Sequence, residues 1–321
     1  MTTSSYPQTT RPLELRLMHH YSTQTCLTIA AGSNLLDVFQ NSIPSLAYDA
    51  QYLMDTILAV SALHLRTLCP EDKSLVRASH GYMVSALAQY ASLLNSGVSE
   101  SNAEAFFATS ILITFHASAS RLFMNKDREL GSGHKGYILP LAWFHSFQGT
   151  KALSIASFQY VLSSRHVLQV ISTQPTFPLD LNPERSGFFG FLLEGVDKQL
   201  ENIEKSLHKN TRKAYEHAVA YLNLAHQNPE RLWIMTFAGS VSGRFVELLG
   251  QYDPRTLVIV ACFFAMTRAV DDIWWLQGVA KREVMGVMSV LPEEWYPKMD
   301  WAVRVANTEE QLDKNVWGAS G

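Results

Sequence analysis

The chain is short of cysteine, of charge and of long hydrophobic runs, and each shortage excludes something. Its 321 residues hold three cysteines, Cys26, Cys69 and Cys262. These lie far apart and two fall inside apolar helical patterns, so buried, reduced thiols in a reducing compartment are expected. Charged residues make up 17% of the chain and the formal net charge is −3, which leaves no broad cationic footprint for nucleic acid. The longest strongly apolar run, residues 257–266, is about half of a bilayer span. Residues 1–11 are polar without an apolar core, so no secretory signal is read there. Strand-like alternation is missing as well. What remains is a chain that is 47% apolar, long enough to bury a substantial core and too apolar for a disordered tail.

Helix punctuation is plentiful. Asn182-Pro183, Asn228-Pro229 and Asp253-Pro254 each set a capping side chain before a proline, the arrangement of helix starts. Ser101-Asn102-Ala103-Glu104 has capping-box spacing, and Gly97 and Gly250 close the patterns before them. Helices are expected over residues 13–30, 49–68, 73–94, 101–121, 135–148, 150–171, 183–207, 212–226, 229–249, 254–269 and 271–290. Two irregular stretches, 124–136 and 173–187, interrupt the series as hinges or loops over a pocket. The expected fold is all-α: a single multi-helix globular domain over residues 12–306 with an apolar interior pocket, an N-terminal tail over 1–11 and a C-terminal tail over 307–321.

The most informative stretch runs from Tyr252 to Trp301. Residues 257–266 are apolar on every side, as a core helix must be. Tandem Asp271-Asp272 and Trp274-Trp275 follow, and Ile273, Leu276, Ala280, Val284 and Val287 form an apolar face. Pro292-Glu293-Glu294-Trp295 reads as a helix stop with an aromatic plug. Two further blocks accompany it: Met18-His19-His20-Tyr21-Ser22-Thr23 leading to Thr25-Cys26-Leu27-Thr28, and Ile43-Pro44-Ser45-Leu46-Ala47-Tyr48 leading to the run from Leu58 to Leu65. In this order they resemble the C-terminal regulatory domain of fungal zinc binuclear-cluster transcription factors, especially the sterol uptake control family, over about residues 13–304. The resemblance implies a helical regulatory domain that binds a sterol in an apolar cavity. One position departs from it: the family pattern has a basic residue before the aspartate of Asp272-Ile273-Trp274-Trp275, and this chain has Asp271. The zinc cluster itself needs six cysteines in a short basic segment, and it is not in this sequence. The chain reads either as the regulatory half of a longer factor or as a standalone relative.

Other chemistry is weaker. An aspartate-rich helix that holds magnesium for prenyl diphosphates needs a third acid and a second metal-binding helix. Here Asp271-Asp272 is followed by Ile273, Trp274 and Trp275. The simpler expectation puts both acids in the first turn of a helix, where they stabilise its positive end. His208, His217 and His226 recur every nine residues, two and a half turns, so their rings diverge and no metal site is read there. Gly131-Ser132-Gly133-His134-Lys135-Gly136 has dinucleotide-fingerprint spacing but follows no strand. Gly239-Ser240-Val241-Ser242-Gly243 puts valine where a hydrolase needs its serine.

The aromatic side chains offer the walls of a ligand cavity, although ordinary core packing explains such residues equally well. The candidate ligand-binding residues are Phe107, Phe115, His116, Trp143, Phe147, Phe263, Met266, Trp274 and Trp275. The leading expectation is a ligand-sensing regulatory domain, homodimeric, in nucleus or cytoplasm, without cofactor, metal, membrane span or direct contact with nucleic acid. Its ligand is a hydrophobic small molecule, sterol-like or a polyketide or terpenoid. The alternative is an enzyme of specialised metabolism that cyclises or dehydrates such a molecule, with Asp271, Asp272, His64 and His116 as acid–base groups.

Overall fold

Apolar segments fold as helices throughout the described residues. The computed structural model describes residues 11–123, 136–161, 164–173, 187–201, 204–310 and 312–318, and no strand occurs among them. The all-α expectation holds. The chain's internal contacts gather in two compact units, residues 1–120 with 149–173, and residues 121–148 with 174–321.

In the first unit, α1 (Arg11–His20) passes through a π-helical turn (Tyr21–Thr25) into a short helix (Cys26–Ile29). It is followed by α2 (Gln51–Leu68), α3 (Lys73–Ser96) and α4 (Ala103–Ser120). The helix α5 (Leu141–Val161) gives this unit its residues from Gly149 onward, and α6 (Arg165–Ser172) completes it. Burial explains the periodicities. In α3, Leu75, Ser79, Met83 and Ala86 are buried at helical spacing, one stripe against the core. In α2 burial reaches every side, and Leu58, Ala62 and Leu65 pack with Leu17 of α1 and Leu75 of α3. The buried carboxylate of Asp55 accepts hydrogen bonds from Gln51 Nε2, Ser85 Oγ and Gln89 Nε2 at 2.7, 2.6 and 3.0 Å. Those three donors are what a buried charge requires.

In the second unit, α7 (Lys205–Gln227), α8 (Arg231–Ser240), α9 (Gly243–Gly250), α11 (Val279–Met288) and α12 (Asp300–Asn307) accompany a central helix, α10 (Pro254–Met266). Asp253 caps α10 by accepting from Thr256 N at 2.9 Å. Every residue of α10 from Arg255 to Met266 is buried, and each large apolar side chain contributes about 1.5–3 kcal/mol by leaving water. Arg255 is the single charge in that series. Its guanidinium donates to Gln199 Oε1 at 2.8 Å and to the carbonyls of Leu192 and Glu194, and lies near the rings of Tyr215 and Trp295. It thereby fastens the 3-10 helix Gly187–Leu193 to α10.

A buried ion pair joins Arg121 to Glu283 of α11, with Nε to Oε1 at 2.8 Å and Nη2 to Oε2 at 2.5 Å. Tyr137 donates to the same carboxylate at 2.8 Å, and its ring fills the notch at Gly286, where any Cβ would overlap it.

Several expected boundaries move. The break expected between Gln148 and Thr150 is absent, because α5 runs straight through Gly149. The single helix expected over 183–207 is instead the 3-10 turn Gly187–Leu193, a short helix Val196–Leu200 and the first turn of α7. The helix expected over 229–249 bends by 81° between α8 and α9, where Ser242 caps the second. The helix expected from Asp271 begins only at Val279: residues 271–278 are turns that end at Gly278 with positive φ. Asp271 and Asp272 therefore do not sit at a helix N-terminus. Most of the irregular stretches 124–136 and 173–187, with the Gly131–Lys135 motif and the Asn182-Pro183 cap, lies outside the described residues. Residues 313–318, within the expected C-terminal tail, carry a helix Lys314–Trp317 with Trp317 buried. Among the described residues no single helix is long and apolar enough to cross a membrane; the bent pair α8–α9 passes that test by composition alone.

Candidate functional site

Of the residues singled out from the sequence, Phe107, Phe115, His116 and His64 belong to the first unit. Phe107 and Phe115 are buried. His116 Nε2 pairs with Ser79 Oγ at 3.0 Å, and His64 Nδ1 with Thr25 Oγ1 at 2.9 Å. Burial holds the pKa of each ring down to about 4, so both are neutral bases at pH 7. The His64 ring faces His20 at 4.8 Å. His20 Nε2 and Tyr21 Oη, beside it in sequence, are buried without hydrogen-bond partners.

Trp143, Phe147, Phe263, Met266, Trp274, Trp275, Asp271 and Asp272 belong to the second unit. Trp143 stacks on Phe147 at 6.3 Å and meets Phe263 and Phe264 edge-on at 6.3 and 5.3 Å. Phe237, which the sequence did not single out, stacks on Phe263 at 4.7 Å. These rings are a packed aromatic core, with one anomaly: Trp143 Nε1 is buried without an acceptor. Met266 and Trp275 are buried, and Trp274 is half-buried.

The two aspartates occupy a different setting. With Phe188, His226, Arg268 and Trp317 they line a cleft of about 1090 Å³. Arg268 sits at the centre of its polar side. Nη1 donates to Asp271 Oδ1 at 2.8 Å, Nε to the carbonyl of Thr308 at 3.0 Å, and Nη2 to those of Glu309 and Glu310. Burial raises the pKa of Asp271, and Arg268 opposes the rise. The chain has Asp271 where the resemblance places a basic residue, and that aspartate is bonded to Arg268, three residues earlier.

The cleft also has an aromatic lining. The His226 imidazole is sandwiched between Phe188 at 4.4 Å and Trp317 at 5.0 Å, both nearly parallel to it. His226 Nε2 donates to the Trp317 carbonyl at 2.9 Å, Trp317 Nε1 donates to the His226 carbonyl at 3.0 Å, and Trp301 Nε1 also donates to the Trp317 carbonyl. Burial lowers the His226 pKa, and the bond to Trp317 opposes it. Asp313 caps the short helix that carries Trp317 by accepting from Val316 N at 2.7 Å. His226 was visible in the sequence only as one of three evenly spaced histidines. Phe188 and Trp317 carried no local signal, because their partners lie far away in sequence. Among the described residues no three His, Cys, Asp or Glu side chains converge to hold a metal ion.

No protein-family model matches the chain. It is 43% identical over 318 residues to a Zn(2)-C6 fungal-type transcription factor of Gibberella zeae, an alignment that covers 96% of this chain and 65% of that relative. It is 29% identical over 266 residues to the Zn(2)-C6 fungal-type transcription factor afumD of Aspergillus fumigatus, covering 79% of this chain and 67% of the relative. With sterol uptake control protein 2 of Saccharomyces cerevisiae it shares 25% identity over 281 residues, 84% of this chain and 29% of that protein. The chain therefore spans just under two thirds of the Gibberella relative and less than a third of the yeast protein. The chain is thus similar over 96% of its length to one fungal Zn(2)-C6 transcription factor, and over 79% to 84% to others, sterol uptake control proteins among them.

Proposed function

We propose that the chain is a ligand-sensing regulatory region for transcription, which responds to a sterol-like hydrophobic small molecule and works in the nucleus as a homodimer. The observation that carries this reading is the reach of the homology: it covers 96% of the chain with one transcription factor and 84% with a protein named for sterol uptake control. The helical fold and the cleft of the second unit agree with it, since a regulatory ligand needs a concave, partly apolar site with a few polar groups. A ligand with different affinity for two conformations of the region would shift their balance, and output would follow. DNA contact would belong to a basic module outside this chain. The enzymatic alternative has no observation of its own: His64 and His116 pair with Thr25 and Ser79, and Asp271 with Arg268.

The test is a fusion of the chain to a heterologous DNA-binding module, read by a reporter gene in yeast under sterol depletion and sterol supply. Reporter output that changes at least several-fold between the two conditions supports the reading. Output indifferent to sterol and to solvent extracts of the native host overturns it.

A further inference from the structure

We propose that the cleft of the second unit takes an amphipathic organic amine, its apolar body against Phe188 and Trp317 and its ammonium against Asp271 and Asp272. This rests on the small-molecule reading above and adds to it a place and a head group.

Space comes first. At about 1090 Å³ the cleft accommodates a ligand of polycyclic or long-chain size. Its polar side is rich in acceptors. Three carboxylates line it, Asp271, Asp272 and Asp313, against two cations, Arg268 and Lys314. Arg268 is already committed to four acceptors, three of them backbone carbonyls, so it has little capacity to receive an anionic ligand. It engages Asp271 through Oδ1. Asp272 is exposed, and its charge partly offsets the effect of burial on the Arg231 guanidinium. Lys314 is exposed at the start of its short helix, where a solvated ammonium can move aside. Asp313 spends Oδ1 on its helix cap.

The aromatic lining supplies what a cation with an apolar body requires. Phe188 is 38% exposed, and the ring behind it is His226. The stack of Phe188, His226 and Trp317 gives the cleft aromatic surface. Carboxylates and aromatic rings in one cleft recognise an alkylammonium through charge-assisted hydrogen bonds and cation–π attraction.

The experiment uses the full chain and three probes that share one tail: decylamine, 1-decanol and decanoate, each below its micelle concentration at pH 7. Isothermal titration calorimetry is run on wild type, Asp271→Asn/Asp272→Asn and Phe188→Ala. Because Asp271 also holds Arg268, Asp272→Asn alone serves as the variant that leaves that ion pair intact. The expected result is that decylamine binds at least tenfold more tightly than the alcohol or the acid. Asp272→Asn should weaken the amine several-fold and the double variant more, while the alcohol is unchanged. Equal binding of all three probes, or amine binding indifferent to both carboxylate variants, overturns the proposal and leaves the small-molecule reading standing. If none of the three binds while sterol still controls the reporter fusion, the cleft is not the ligand site. If neither occurs, both readings fall together.

Discussion

At the scale of single residues, buried polar groups in this protein are held by partners that come from distant parts of the chain, and that makes individual substitutions informative. Glu283 is fully buried and takes bonds from Arg121, Tyr137 and Arg282. Its replacement by Gln should destabilise the protein by about 3–5 kcal/mol, because an uncompensated guanidinium is left in the interior. Tyr137→Phe removes one bond and should cost about 1 kcal/mol, both measured by urea titration. Gly286→Ala should cost about 1–3 kcal/mol through overlap with the Tyr137 ring, and Tyr137→Ala in the same chain should recover part of that loss. His64 and His116 make a prediction in pH. Their folded pKa values are depressed from 6.5 to about 4, so the unfolded chain takes up protons first as pH falls. Their stabilising effect is complete above pH 6.5 and is lost between about 6.5 and 4. Thermal melts over that window should show a falling midpoint, and His64→Gln/His116→Gln should flatten the slope.

At the scale of elements, local signals worked where a helix end is built from neighbours in sequence. Asp253-Pro254 caps α10 as its residues announce, and the all-round apolar run after it is buried on every side. The same local reading failed at Gly149, where a glycine looked like a break and α5 continues through it. A Cβ there would meet nothing within 4 Å. Gly149→Ala should therefore raise stability by about 0.5–1 kcal/mol, since the glycine contributes only backbone freedom in the unfolded chain; a lower midpoint in chemical denaturation would contradict the continuous helix. At Asp271 the error had another source. The apolar register Leu276, Ala280, Val284 and Val287 is buried, and extending it backwards to Ile273 suggested a helix start. The positive φ of Gly278 ends the helical path there, leaving the two acids on a turn that faces the cleft.

At the scale of the whole molecule, the charge balance carries a prediction of its own. With a net charge of −3, the isolated chain should show no measurable affinity for duplex DNA at about 150 mM salt in fluorescence anisotropy. Sequence-specific binding by this chain alone would contradict the reading that DNA contact lies in another module. The sequence by itself determined the all-helical class, most helix positions and the resemblance to fungal transcription regulators, because periodicity, caps and short motifs act over a few residues. It also led to the aspartate pair, though to the wrong setting for it. Tertiary structure alone decided that Trp143 and Phe263 pack into one aromatic core, and that Phe188, His226 and Trp317 form a stack lining the same cleft as Asp271 and Asp272. The reason is distance along the chain. Phe188, His226, Asp271 and Trp317 are tens of residues apart, and only the packing of the second unit's helices sets such residues around one cleft.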